Sequence, residues 1–458
     1  MKGRLSEVAS VTAGRLTGAD VAFAGESIDS RTLKPGELFF ALRGPQFDGH
    51  DFVATAAGRG AAAAVVGKAV EVRLPQVVVR DTVAALAALA QDWRGRSGAT
   101  VIGVGGSNGK TTTKEMLAGI LEGAGPTLAT RGNLNNHLGV PLTLLRLERN
   151  HHFAAIEMGA NHPGEIAALA AIARPVIGLV TNAGDEHLEG FGDLAGVARA
   201  EGEMYAALTE AGTAVINADD PFCGLWQEMA GTARRIRFGI ESSCDVRATG
   251  LQGRIESGAF ATVFTLEIGD GQARVRLNLA GRHNVLNALA AAAAAHAAGV
   301  SFPQIVAGLE RMNPVSGRLQ LKAGPRGSWL IDDSYNANPS SVRAGIDVLC
   351  SLPGEHWLVL GEMAELGSHT EASHTDIGDY ARRAGVARLF AIGAAARLAV
   401  AAFGARGSWF DDAGRLADAV ASGLDSGITA LIKGSRINRL ERVVDRLQQP
   451  LAAAGNGN

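Results

Sequence analysis

Cysteine is scarce in this 458-residue chain: Cys223, Cys244 and Cys350 stand far apart and odd in number. With neither a CxxC spacing nor an even count, a disulfide framework and a zinc site are both disfavoured, and a reducing, cytoplasmic setting is expected. No charge of one sign dominates either. Lys+Arg 43 against Asp+Glu 46 leaves a net charge of −3 without a long basic run. That balance argues against a nucleic-acid partner held by counterion release. Long hydrophobic runs are missing too. The longest, Val285 to Val300, is mostly alanine and is interrupted by Asn287 and His296. A membrane span needs ~20 strongly apolar residues, so this run reads as a buried helix of a soluble protein. Lys2 and Arg4 lead into no continuous apolar stretch, so neither a signal peptide nor membrane insertion is expected. No repeat of fixed period is present.

Hydrophobic residues, at 47%, are enough for sizeable cores and exclude a disordered chain. The length is about three times the ~150-residue domain prior, which suggests three domains. Glycine is in excess: 59 residues in 458 is nearly twice the usual ~7%. Without a Gly-X-Y period, this points to tight turns and close backbone approaches to something small.

The expected fold class is α/β in three domains. Residues 1–82 hold short strand-like runs (Leu38 to Leu42, Ala61 to Val66, Gln76 to Val79) punctuated by Gly, Pro and Asp. A helix capped by Asp81 or Thr82 then runs from Val83 to about Arg94. Residues 83–313 alternate strands (Thr100 to Val104, Phe153 to Glu157, Val176 to Thr181) with helices (Lys110 to Glu122, Gly164 to Ala173), the pattern of βαβ units on a parallel sheet. Phe260 to Ile268 and Ala273 to Leu279 flank Gly269-Asp270-Gly271 as an appended hairpin, and helix Val285 to Ala298 follows. Residues 314–458 repeat the alternation. Strands are expected at Trp329 to Asp332, Trp357 to Leu360, Leu389 to Ile392 and Ala430 to Ile432. Helices fall near Ser341 to Leu349, Thr375 to Ala384, Gly414 to Ser422 and Arg436 to Leu447. This third region is Rossmann-like, but Gly361 to Gly367 does not spell G-x-G-x-x-G, so no nicotinamide site is implied. The tail from Ala452 to Asn458 reads as disordered.

Chemistry concentrates at Gly103-Val104-Gly105-Gly106-Ser107-Asn108-Gly109-Lys110-Thr111-Thr112, between an apolar strand and a helix. Glycines let backbone N–H groups converge on phosphate oxygens, and the helix N-terminus adds positive potential. Lys110 would reach the β/γ-phosphates and Thr111 would offer its hydroxyl to Mg²⁺. The strict G-x-x-x-x-G-K-[ST] pattern wants glycine where Val104 stands, so a turn that binds nothing is the competing reading. Glu157 ends a strand on the edge where parallel sheets present ligands, a natural place to position metal or water beside such a loop. His187 follows the next strand and opens on the same edge, although a lone histidine is more often structural. Glu201 and Glu203 fall on a helix of that loop, where a solvated face is the ordinary reading. The residues alone therefore imply an ATP-dependent phosphoryl-transfer site, without naming the acceptor.

These residues resemble the Mur ligase family, whose phosphate-loop pattern G-x-x-G-x-x-G-K-T-T is matched by Gly103, Gly106, Gly109, Lys110, Thr111 and Thr112. Further matches are Gly132-Asn133-Leu134-Asn135-Asn136, Glu157-Met158-Gly159, Asn182 with His187, Asn217-Ala218-Asp219-Asp220, His283 to Asn287, Ser316-Gly317-Arg318 and Asp332 to Pro339. Segments Asp29-Ser30-Arg31, Gly36 to Gly44 and Phe47-Asp48-Gly49-His50 resemble the family's UDP-sugar domain. No Asp-Asn-Pro-Arg signature is present, and Leu360 to Gly367 with Lys433-Gly434-Ser435-Arg436 resemble the type that adds D-alanyl-D-alanine to UDP-N-acetylmuramoyl-tripeptide.

The resemblance implies ATP and Mg²⁺ as cofactors, an acyl-phosphate intermediate, and a set of site residues. Lys110, Glu157, His187 and Glu201 would be catalytic, with Thr111, Glu157, His187 and Glu201 toward the metal. Gly106, Ser107, Asn108, Gly109, Lys110, Thr111 and Thr112 would cradle the phosphates. Asn284 and Asn287 would serve the adenine side, Arg318 the phosphates and Asp333 the ribose. Ser27, Asp29, Ser30, Arg31, Arg43, Gly44, Asp48, Gly49 and His50 would hold the UDP-sugar. Many family members carry a lysine that becomes carbamylated in an Ala-Lys-Gly-Glu segment; here Ala200-Glu201-Gly202-Glu203 places Glu201 there. Glu201 is then expected to supply the metal-side carboxylate directly. Small-molecule substrates, a monomeric chain, and a hinge near Asn313 to Gly317 complete the expectation. The competing readings are a sister ligase adding another amino acid, a folylpolyglutamate-type enzyme, and an ATP-gated binding protein.

Overall fold

The computed structural model describes residues 1–44 and 46–448; the tail expected to be disordered lies outside them. Three sheets form. The first has strand order Arg15–Thr17, Gln76–Val78, Ala63–Val66, Leu38–Phe40, Glu26–Ser27, parallel except for the first pair. A small antiparallel ribbon, Lys2–Arg4 with Ala22–Ala24, lies beside it. Helix Thr82–Gly95 follows, with the Asp81 carboxylate accepting from the amides of Val83 and Ala84 at 2.8 and 3.0 Å. It is tied to the next unit by the Trp93 indole on the Leu147 carbonyl, 2.9 Å, and by Arg94 on Ala173, 2.9 Å.

The second sheet has nine strands, and Thr100–Gly105 sits between Ile177–Val180 and Phe153–Glu157, parallel to both. Glu157 pairs with Val104, and Val180 with Gly105, so the loops after all three strands emerge on one edge. The hairpin forms as Ala259–Ile268 and Gly271–Leu277, with Gly269 at φ +55° in a two-residue turn. A third strand, Val246–Glu256, extends it antiparallel with a register shift between Thr249 and Gln252. Its glycines at 250 and 253 interrupt the alternation that marks a strand in sequence.

Helix Arg282–Ala297 begins about a turn earlier than expected and is buried along Ala288 to Ala295. Alanine lets it lie close to helix Lys110–Glu122, and burial on all sides explains its lack of a polar stripe. No helix among the described residues is long and apolar enough to cross a membrane.

The third sheet has six strands in the order Gln320–Ala323, Trp329–Asp333, Ile428–Lys433, Glu355–Gly361, Arg388–Ile392, Gly407–Phe410, parallel but for the first pair. One expectation needs correction: Arg436 to Leu447 is not a single helix. A 3-10 turn, Arg436–Asn438, is followed by Arg439 at φ +48° and then helix Glu441–Leu447. The Asn438 amide causes the break, because it turns back to donate to the carbonyls of Glu362 (2.8 Å) and Ser435 (3.0 Å).

The third unit is docked on the second. Asn108 donates to Ser340 and accepts from Asn338, both at 2.9 Å. Between them, residues 313–316 carry no regular structure, and Gly317 has φ +69°. Polar contacts and an irregular connector are the features on which the expected hinge would turn. A non-hydrolysable ATP analogue with UDP substrate should therefore reduce the radius of gyration in small-angle scattering, whereas identical curves would count against the hinge.

Candidate active site

The phosphate loop is clamped from behind. Gly106 has φ +111°, and a Cβ there would meet the Thr181 hydroxyl at 2.2 Å; Gly109 has φ +83°, and a Cβ would meet Asn287 Oδ1 at 2.2 Å. Backbone conformation and close approach both require glycine at these positions. Val104 is a buried strand residue upstream of the turn, so no glycine is needed there. The Ser107 amide donates to the Asn182 carbonyl (2.9 Å) and the Gly184 amide to Ser107 Oγ (2.9 Å). Thr181 Oγ1 and Asn182 Nδ2 both donate to the Asn108 carbonyl, at 2.7 and 2.9 Å. The loop after Ile177–Val180 thus fixes the loop after Thr100–Gly105.

Lys110 lies at the start of helix Lys110–Glu122. Its ammonium donates to the carbonyls of Gly106 (2.5 Å) and Ser107 (3.0 Å) and to the Glu186 carboxylate (3.0 Å). Burial pulls this ammonium down, but Glu186, Glu201 and Glu157 together hold it above its ordinary pKa. Glu201 is 3% exposed and accepts the Gly106 amide at 2.6 Å; burial pushes its carboxyl up to about 7, against the pull of Lys110.

Glu157 accepts from Thr111 Oγ1 at 3.2 Å and from Asn135 Nδ2 at 2.9 Å, while its other carboxylate oxygen is buried without a hydrogen-bond partner. His187 has φ +51°, with Nδ1 2.7 Å from Glu365 and Nε2 3.6 Å from Glu186. Burial lowers this imidazole, but the bond to Glu365 and the field of Glu186 raise it above its usual pKa.

The residues expected toward the metal are brought together only in part. Among the described residues no three acidic, imidazole or thiol side chains converge as a ready metal cluster. Thr111 and Glu157 meet, whereas His187 turns to Glu365 and Glu201 lies under the phosphate loop. The physical reason is that each of the latter two finds a closer partner, a carboxylate and an amide.

Seven of the residues expected at the nucleotide share one cleft. A cleft of about 320 Å³ is lined by Asn108, Gly109, Thr112, Asn284, Asn287, Arg318, Asp333 and others. Asn287 donates to Asn284 Oδ1 (3.1 Å) and packs against Gly109. Arg318 stacks over the Tyr335 ring at 4.3 Å and donates to Thr111 Oγ1 at 3.4 Å, so a guanidinium of the third unit reaches the phosphate loop. Asp333 accepts from Lys433 Nζ (2.6 Å) and the Leu319 amide (3.2 Å). In the same cleft, burial lowers His283 to about 4, so its imidazole is neutral.

The expected UDP-sugar residues share an edge as well. Ser27 to Arg31 follows strand Glu26–Ser27 and Arg43 to His50 follows Leu38–Phe40, and these strands are parallel neighbours. The Asp29 carboxylate accepts from the Arg31 guanidinium at 2.8, 2.9 and 3.2 Å and from the Arg31 amide at 2.9 Å, and the Arg31 interaction holds its carboxyl at about 2. The Gly67 amide donates to His50 Nε2 at 2.8 Å, so Nδ1 carries the proton shared with Asp48. A Cβ at Gly49 would meet the Leu42 carbonyl oxygen at 2.5 Å, so Gly49 is required by packing. Ser30 is buried, Arg43 and Asp48 pair through an isolated antiparallel backbone bridge, and the Gly44 amide donates to the Phe47 carbonyl at 2.9 Å.

Sequence reasoning missed Glu186, Glu365 and Lys433 as site residues. Glu186 adjoins His187, and Glu365 and Lys433 fall inside the segments Leu360 to Gly367 and Lys433 to Arg436 that carry the resemblance, so each had a signal but no assigned role.

Family models match three stretches: "Mur ligase family, catalytic domain" over residues 23–94, "Mur ligase middle domain" over 104–295, and "Mur ligase, glutamate ligase domain" over 317–436. The UDP-N-acetylmuramoyl-tripeptide--D-alanyl-D-alanine ligase of Escherichia coli (strain K12) is 42% identical, covering 97% of this chain and 98% of that one. A crystal structure of MurF from Acinetobacter baumannii superposes with a TM-score of 0.91 at 35% identity, over 97% of this chain and 98% of that one. MurF ligase from Thermotoga maritima, solved in complex with ADP, gives 0.82 at 29% identity over 92% and 96%. With its phosphate loop, its three-sheet architecture and these relatives in agreement, the chain belongs to the Mur ligase family.

Proposed function

We propose that this chain joins D-alanyl-D-alanine to UDP-N-acetylmuramoyl-tripeptide with ATP, a step of peptidoglycan precursor synthesis. The observation that carries the reading is the Lys110 loop with Arg318 of the third unit at Thr111, inside a chain alike end to end to such ligases. A carboxylate resists amine attack because its leaving group is poor. Transfer of the γ-phosphoryl group to the tripeptide's terminal carboxylate, with ADP leaving, makes an acyl phosphate. The dipeptide's amine then attacks the carbonyl carbon, and the tetrahedral intermediate collapses with loss of phosphate and the amine's proton.

Such transfers depend on positioning and charge neutralisation. The amides of residues 106 to 112 and the Lys110 ammonium meet the phosphates, with Arg318 completing the cradle from the third unit. Asn284 and Asn287 wall the adenine side, and Asp333, held by Lys433, faces the ribose. Mg²⁺ fits at the Thr111 hydroxyl and the Glu157 carboxylate, whose second oxygen is buried and unpartnered, and would supply charge neutralisation there when bound. His187 stands across from them toward Glu186, and Glu201 braces the phosphate loop in the place of the family's modified lysine. Ser27 to Arg31 and Arg43 to His50 take the UDP-sugar. We place the reaction in the cytoplasm, where the three free cysteines stay reduced, and in a monomeric chain.

Phosphate release from ATP, measured with UDP-muramoyl tripeptide, should require D-alanyl-D-alanine. Release independent of the dipeptide would sink the ligase reading, and release driven by another amino acid would reassign the type. Lys110→Ala should lower kcat by about 10²- to 10³-fold, the cost of removing one preorganised donor to developing charge.

Glu201 gives a pH test. Folding raises its carboxyl from an ordinary 4.5 to about 7, so the folded state binds the proton more tightly. The stability this contributes is complete below pH 4.5 and is lost as pH rises through 7. Relative to Glu201→Gln, the wild type should lose on the order of 3 kcal/mol over that window. Thermal melts of the two proteins at pH 5 and pH 8 check it; parallel behaviour refutes the raised pKa. If the carboxylate serves the metal side, Glu201→Gln should also weaken Mg²⁺ dependence, and Glu201→Lys should make activity depend on bicarbonate.

A further inference from the structure

Two non-glycine residues in the left-handed region, His187 at φ +51° and Glu365 at φ +64°, meet across the docked interface. Such conformations persist only where the surroundings impose them, and they concentrate at functional sites. Here the surroundings are specific. Glu365 belongs to the loop after strand Glu355–Gly361, at the carboxyl edge of the third sheet, where open α/β sheets place ligands. The loop is pinned to its own unit through the three residues just ahead of Glu365. The Met363 amide donates to His374 Nε2 at 3.0 Å, and His374 is fully buried. The Ala364 amide donates to Ser435 Oγ at 2.9 Å, and Ser435 in turn donates to the Ala337 carbonyl at 3.0 Å. Asn438 accepts from the Glu362 amide and donates to the Glu362 carbonyl, at 3.2 and 2.8 Å. Glu365 therefore moves as part of the third unit.

Its carboxylate lies 2.7 Å from His187 Nδ1, and its carbonyl accepts the Glu189 amide at 3.5 Å. With Nδ1 held against Glu365, Nε2 of His187 is left to face Glu186 and the Lys110 site. Nδ1 has no other side-chain or backbone partner among the described residues.

We propose that Glu365 is a positioning residue: it latches the third unit onto His187 and sets that imidazole's tautomer and orientation only when the units close. The placement of His187 in the phosphate site rests on the reading above; the latch rests on geometry alone. A ring held by a carboxylate at one nitrogen presents the other in a fixed direction, and losing such a partner typically costs 10- to 100-fold in activity. Closure and completion of the site then become one event, which protects an acyl phosphate from forming in an open, wet cleft.

The test compares Glu365→Ala with Glu365→Gln, which keeps an acceptor for Nδ1–H. Glu365→Ala should lower kcat by about 10- to 100-fold while leaving the KM for ATP unchanged, and Glu365→Gln should restore most of the rate. Hydrogen exchange of the backbone at Leu188–Phe191, with a non-hydrolysable ATP analogue, reads the latch without any turnover. Protection on adding the analogue should appear in the wild type and in Glu365→Gln and be lost in Glu365→Ala. Protection retained in Glu365→Ala, or a wild-type kcat in it, overturns the proposal. Since the exchange arm needs neither tripeptide nor dipeptide, its result stands apart from the substrate assignment.

Discussion

A buried ammonium among three carboxylates is the constraint on which the site depends. Lys110 cannot face phosphates unless something holds its charge when no phosphate is there, because a desolvated cation without a partner is costly. Glu186, Glu201 and the carbonyls of Gly106 and Ser107 do this. The holders come from three segments, so the charge can be balanced only when the strands Thr100–Gly105 and Ile177–Val180 and the helix Leu194–Ala206 are all in register. The ion cluster and the sheet order are in this sense one requirement. Phosphate binding then exchanges one set of negative partners for another, and Lys110 need not be rebuilt.

The same economy explains why the chain carries little net charge. A protein that handles phosphorylated substrates does not need a basic surface if its positive groups are fixed where the phosphates arrive. Lys110, Arg318 and Lys433 all line or border one cleft, and each is already paired or stacked: with Glu186, with Tyr335, with Asp333. Pairing keeps these side chains directed inward. It also prevents a bare positive pocket from attracting unrelated anions.

Elements with a strong local signal were legible in sequence. Lys110–Glu122 and Phe153–Glu157 fall where helical periodicity and an apolar run bounded by polar residues place them. The phosphate loop was readable because its glycines answer local demands at Gly106 and Gly109. What failed to show was tertiary. Strands of two or three residues, such as Glu26–Ser27 and Arg15–Thr17, are too short to carry a period. The break after Arg436–Asn438 comes from a side chain reaching Glu362, some seventy residues earlier, which no window of local sequence contains. The four expected metal ligands were chosen by resemblance and edge position. Those criteria bring Thr111 and Glu157 together but say nothing of the partners that draw His187 and Glu201 elsewhere.

That distinction bears on the glycine excess. Gly106 and Gly109 are glycine because of φ and because Thr181 and Asn287 stand against them, and Gly49 because the Leu42 backbone does. Gly184 would drive a Cβ toward Asn108 and Ser340, and Gly367 toward Glu189, so both sit where separate units touch. A side chain at any of these points would push apart surfaces that the site needs in contact. Close approach between segments, more than turn geometry alone, is what these glycines supply, and it is also what lets a hinged unit bring Arg318 to the phosphate loop.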